Sequence, residues 1–411
     1  MRWTRRRAIA AGGALAAAGA AAWTWPEQGF VNPCLGDPPR GLALHPLVRQ
    51  AFDGLDAALV LDAHVHVFGV GDAGDDGVSY EGGRGTLRWP IGALQRPALE
   101  NAACTRPGAV DESYVERLAA LADALPAGAR CLVLALDRWH DEAGRPDRSR
   151  THVHVANDYA ARLAARRPDR FAWAASVHPA RPDALAELER ARRLGARAVK
   201  WIPSAQNIDP SSARCDAYYD ALVRLRLPLI SHAGTQRAAP GDDALGNPLR
   251  LRRPLERGVT VVVAHCASMG SSPDLDRGPA GPEVANFALF ERLMDEPAHV
   301  GRLFGDLSAL TQSARAPAAL DRVLARGAEG GEWAARLVNG SDYPLPAILP
   351  LYSPRALAQS GWLDADAVEP LTGLRRYNAL LFDFVLKRHL RIGGRPLAHG
   401  VFEGARLFAP A

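Results

Sequence analysis

The sequence predicts a (β/α)8 barrel of the TIM type, and three observations carry that expectation. Eight short apolar segments follow one another along the chain, separated by longer stretches with helical periodicity, the pattern of repeated βα units. Histidine or aspartate closes several of these segments at the C-terminal end, where barrels of this kind carry their chemistry. The competing architecture, a doubly wound open sheet, usually begins with a glycine-rich phosphate turn, and none follows the first segment.

Taken in order, the chain opens on a segment to be set aside. Residues 1–25 pair a basic start, Met1 to Arg7, with an apolar run of small residues, Ala8 to Ala22, and read as a signal peptide. Thr4-Arg5-Arg6-Arg7-Ala8-Ile9 resembles a twin-arginine export motif and Ala20-Ala21-Ala22 offers a cleavage site, so a periplasmic or secreted protein is expected. Residues 26–57 form an N-terminal extension with an amphipathic run from His45 to Leu55. The barrel occupies residues 58–411, its strands expected at 58–67, 131–137, 171–177, 196–202, 228–233, 259–266, 301–307 and 336–342. Helical periods fill the gaps, as at 183–194 and 284–296, and a last helical stretch at 367–390 closes the ring. One connection, 68–110, is far longer than the rest; leaving the C-terminal end of a strand, it is read as a partial cover over the mouth.

Composition narrows the partners. Removing Arg2, Arg5, Arg6 and Arg7 from 49 basic residues leaves 45 against 45 acidic, so the mature chain is near neutral. Neither nucleic acid nor, beyond export, a membrane surface is implied. A small-molecule substrate fits better, and a homo-oligomer is left open. The five cysteines contain no C-x-x-C pair; Cys34 and Cys104, both in loop-like sequence, could form one disulfide outside the cytoplasm.

The chemistry concentrates at strand ends. In Leu61-Asp62-Ala63-His64-Val65-His66, period-two alternation points both histidines into the barrel and Leu61, Ala63 and Val65 toward the helices. Alone, H-x-H is weak, and the chain holds a second copy, Thr151-His152-Val153-His154, which polar surroundings mark as surface histidines. The first pair is set apart by its company: Ser231-His232, Ala264-His265 and Ser341-Asp342 close strands five, six and eight. Imidazole and carboxylate converging on one mouth suit Zn(II) or a similar divalent ion.

The ordered set Asp62-x-His64-x-His66, Val199-Lys200, His232, His265 and Gly340-Ser341-Asp342-Tyr343-Pro344 resembles the amidohydrolase superfamily, particularly its amidohydrolase-related branch, over about residues 58–390. The resemblance implies that His64, His66 and Asp342 bind metal, His232 completes the site, and His265 meets a second ion or the substrate. It also implies no accompanying β-sandwich, since too few residues precede strand one to build it. Lys200 then bears on the number of ions. The chain has two lysines, Lys200 and Lys387, every other basic residue being arginine. Only a lysine amine can deprotonate and add CO2 to become a bridging carbamate. One or two ions are compatible with the sequence.

The expected activity is metal-dependent hydrolysis of an ester, lactone, amide or phosphoester, with Asp342 taking a proton from water and His265 holding an oxyanion or the second ion. Nonoxidative decarboxylation of an aromatic acid at a single metal is the alternative; a non-enzymatic binder is the third reading. Asp62 is read as supporting, and Asp306 as a residue that orients a ligand histidine. Asp137, Trp139, His178, Trp201, Gln206, Asn207, Gln236 and Arg237 lie near the mouth, as substrate contacts or as solvated loop residues.

Overall fold

The computed structural model describes residues 28–74, 77–81, 92–315 and 317–409. The expected signal segment, 1–25, lies outside them, as does part of the long connection. Parallel strands overlap all eight expected segments: β1 (Leu61–His66), β2 (Arg130–Leu134), β3 (Phe171–Ala174), β4 (Val199–Trp201), β5 (Leu229–His232), β6 (Val261–Ala264), β7 (Leu303–Asp306) and β8 (Leu337–Val338). Each is followed by a helix: α1 (Val110–Asp123), α2 (Asn157–Arg166), α3 (Ala184–Arg193), α4 (Asp216–Leu225), α5 (Arg252–Glu256), α6 (Asn286–Asp295), α7 (Pro317–Gly327) and α8 (Ala379–His389). The closing stretch is two helices, since a separate one, Val368–Arg375, ends before Asn378 caps α8 by accepting from the Leu381 amide.

The strands lie in two arcs, β1-β2-β3 and β4-β5-β6-β7-β8. Single parallel bridges join them, Ala175 to Val199 on one side and Val65 to Tyr343 on the other. At the second seam, Ala63 N–H donates to Asn339 and Asp342 N–H to His64, at 2.9 and 2.8 Å. Runs such as Val261-Val262-Val263 are buried on both faces, as covered parallel strands require. Leu132, Leu134, Ala174, Ala198, Ile230, Val262 and Val338 fill the barrel interior with Phe408, while Val133, Trp173, Val199, Leu229 and Val263 pack outward in the core under the helices. Lys200, two residues on from Ala198, therefore points inward.

Strand one corrects the expected facing. Leu61 and Ala63 belong to the interior cluster, not the helix side. The register against β2 slips between Asp62 and Val65, and this bulge resets the alternation so that His64 and His66 still enter the barrel while Val65 packs outward.

The long connection is more ordered than a simple cover. It contributes a short strand, Val78–Tyr80, and a helix, Gly92–Ala102, and its Asp72 carboxylate caps α1 by accepting from the Val110 and Asp111 amides. Cys34 and Cys104 are disulfide-bonded, tying the N-terminal extension to the end of that helix. Val78–Tyr80 pairs antiparallel with Val153–Val155, which overturns the surface reading of the second H-x-H: His154 is buried, its Nδ1–H donating to the Leu136 carbonyl at 2.9 Å. His152 is half-buried against the Tyr80 ring. No helix of the described residues is long and apolar enough to cross a membrane.

Candidate metal centre

His64 is fully buried, and its Nδ1 lies 2.7 Å from Asp306 Oδ2. A carboxylate held below its usual range can only accept there, so Nδ1 carries the proton and Nε2 turns its lone pair into the barrel. Asp306 also accepts from the backbone N–H groups of His265 and Ser308, both at 2.9 Å. Asp306 thus orients His64, and the same carboxylate fixes the backbone of His265.

Asp342 lies in the left-handed region with φ +63°, which a short polar side chain tolerates. Its Oδ1 is 3.0 Å from His66 Nε2 and 3.6 Å from His64 Nε2, and its Oδ2 is 3.8 Å from His265 Nε2. Burial would push this carboxyl up, but His265, His66 and His64 outweigh burial and hold it ionised, well below the usual range. Behind it, Asp62 Oδ1 accepts from the Ser341 and His64 amides at 2.8 and 3.2 Å, locking strand one to the Gly340–Pro344 turn. Lys387 Nζ, buried, donates to the Gly340 carbonyl at 2.5 Å and to Asp383 at 2.6 Å, supporting the same turn from α8.

His265, Cys266 and Ala267 are three consecutive non-glycine residues at φ near +50°. Such residues cost about 1–2 kcal/mol each, a local strain that aims His265. Its Nδ1 lies 2.9 Å from the Ser308 carbonyl, which can only accept, so Nε2 carries a lone pair. Burial, with Arg315, keeps this ring neutral. His265 therefore has no N–H free for an oxyanion, and of the two expected roles the geometry suits ion binding.

His232 completes the set from β5, its ring 5.2 Å from that of His265 and its buried Nε2 without a partner. Burial first, then Lys200 and Arg315, push its pKa down to about 3. Lys200 Nζ is 3.1 Å from His64 Nε2, and burial lowers its pKa to about 8 against the pull of Asp306 and Asp342.

Nitrogen and oxygen donors thus converge on one mouth, with the Lys200 amine and the Arg315 guanidinium beside them. The ligand atoms of His64, His66 and Asp342 lie within 4.8 Å of one another, as do those of His64, His265 and Asp306. The lone pairs that His64 and His265 present, an ionised Asp342 carboxylate and the orphaned Nε2 of His232 fit a divalent ion. Every predicted ligand sits at this mouth, although His232 stands apart from both groups. Ser308 and Arg315, which sequence reasoning missed, line the same place.

Six of the eight loop residues expected near the mouth are spent on the framework. Asp137 accepts from the His178 amide and Arg181, Gln206 donates to the Asp137 carbonyl, Asn207 donates to His140, and Trp201 is buried against Tyr218. Gln236 likewise accepts from the amides of its own loop. A cavity of about 460 Å³ beside Asp137, His140 and His154 includes none of the centre residues.

Barrel and centre together define a metal-dependent enzyme of the parallel-barrel class. The family model described as amidohydrolase matches residues 61–348, and the chain belongs to that family. No curated protein sequence matches it. Among solved structures, an uncharacterised TIM-barrel protein from Bordetella bronchiseptica is 16% identical, with 79% of this chain and 99% of that one covered at a TM-score of 0.47. A 5-carboxyvanillate decarboxylase from Sphingomonas paucimobilis is 15% identical, covering 86% and 99% at 0.44. A protein from Pseudomonas putida titled as a 2-pyrone-4,6-dicarboxylic acid hydrolase is 16% identical, covering 85% and 97% at 0.36.

Proposed function

We propose that the protein is a metal-dependent hydrolase that activates water for attack on an ester, lactone, amide or phosphoester of a small molecule. The observation that carries this reading is Lys200, a fully buried amine against His64 whose pKa is lowered to about 8. A lysine so desolvated loses its proton far more readily than one in water, and its neutral amine is the form that adds CO2. The Nζ lone pair forms an N–C bond, a C=O bond of CO2 opens to a carboxylate, and one proton leaves to solvent. The anionic arm would then join His64, His66, His232 and His265 as donors, enough for two ions.

When bound, a divalent ion such as zinc(II) polarises a substrate oxygen and makes water nucleophilic at neutral pH. The chain does the rest. Asp342, held ionised, accepts a proton from the attacking water and returns it to the leaving group. Asp306 holds His64 in its ligating tautomer, and Asp62 and Lys387 fix the turn that presents Asp342.

The second reading, decarboxylation of an aromatic acid at one ion, is favoured by the unpaired Arg315 cation beside the centre. A panel of aryl esters, lactones, N-acyl amides, organophosphates and hydroxybenzoic acids separates the two. Hydrolytic turnover without CO2 release is expected; CO2 release from the acids, with no ester, lactone, amide or phosphoester cleaved, would replace the hydrolase reading.

A further inference from the structure

We propose that Arg315 binds a carboxylate of the substrate, so that the enzyme acts on organic acids presented with the anion against the His232–His265 side of the mouth. This rests on the hydrolase reading and adds the substrate class to it. Arg315 lies in the loop after β7, its Nη1 donating to Ser268 Oγ at 3.0 Å, three residues beyond His265. Its Nε is buried with no acceptor, and the guanidinium forms no ion pair among the described residues. That is costly for a buried cation.

Arg117, on α1, shares an acceptorless Nε and donates to the Tyr377 carbonyl, but three other arginines differ. Arg336 and Arg388 donate to backbone carbonyls, and Arg326, whose Nε is likewise without an acceptor, is ion-paired with Glu291, Asp295 and Glu332. The charge of Arg315 also bears on both His232 and His265, in keeping with its bond to Ser268 beside His265. Asp342 and Asp306 are the acidic groups that feel it, at longer range, and both are committed to histidines. A guanidinium with an acceptorless Nε and no ion pair suits a carboxylate, which supplies an acceptor and the counter-charge together.

The test is titration calorimetry of benzoate, benzamide and inorganic phosphate into the chelator-stripped protein and Arg315→Met and Arg315→Lys variants, with thermal unfolding to verify that each variant folds. Benzoate is expected to bind the parent about 10- to 100-fold more tightly than Arg315→Met, as loss of hydrogen bonds to a charged group implies, with Arg315→Lys between them and benzamide indifferent. Kinetics on a neutral aryl acetate and its carboxyl-bearing counterpart should then show kcat/KM falling further for the acid than for the neutral ester in Arg315→Met, the difference between the two substrates being the readout. Equal benzoate affinity in parent and Arg315→Met, or binding of phosphate but not benzoate, overturns the proposal. If benzoate binding depends on Arg315 but neither ester is cleaved by the metal-loaded parent, the carboxylate site stands and the hydrolase reading falls.

Discussion

Asp342→Asn is expected to lower kcat/KM by about 10²- to 10⁴-fold, toward the upper end because one substitution removes both a metal ligand and a proton acceptor. The amide keeps the size of the side chain and, like aspartate, accepts the left-handed backbone, here at φ +63°, so the Gly340–Pro344 turn should survive. What is lost is the charge that His64, His66 and His265 surround. The loss should therefore fall on kcat more than on substrate binding. Steady-state kinetics with elemental analysis of the same preparation checks this. Near-normal kcat in a metal-replete Asp342→Asn enzyme would rule out the proposed proton transfer.

Lys200→Ala carries the second large expectation. If the amine becomes a bridging carbamate, the variant should fall toward one equivalent of metal, with at least about 100-fold weaker affinity for the lost ion. Lys200→Met, closer in volume to the buried side chain, separates this from a packing defect. Short carboxylic acids with bicarbonate should partly restore activity, whereas Lys200→Arg should not, since arginine cannot give up its proton. Two equivalents retained by folded Lys200→Met would show that the lysine is no bridge, leaving a single-ion enzyme.

The strands were legible because parallel strands covered on both faces read as short apolar runs, but their ends were not. The expected eighth strand, 336–342, shrinks to Leu337–Val338, because the following residues turn to meet strand one and set Asp342 in the left-handed region. Period-two alternation found His64 and His66 yet misplaced Leu61 and Ala63, since nothing in the sequence marks the bulge between Asp62 and Val65. His154 was misread because the strand that covers it, Val78–Tyr80, lies in the long connection, where local polarity says nothing about pairing. Lys200 stood out by composition, in a chain that otherwise uses arginine. Arg315 was hidden for the same reason, one arginine among many, in a loop with no periodicity.

The central claim is that catalysis needs an ion held by these histidines and Asp342. The most direct measurement strips the purified protein with chelator, verifies the metal content, and follows turnover of a substrate found in the panel as zinc(II) or manganese(II) is added back. Activity should vanish with the metal and return in proportion to the equivalents bound, saturating at one or two, while a His64→Ala protein should neither bind nor recover. Full turnover by the metal-free protein would contradict the account.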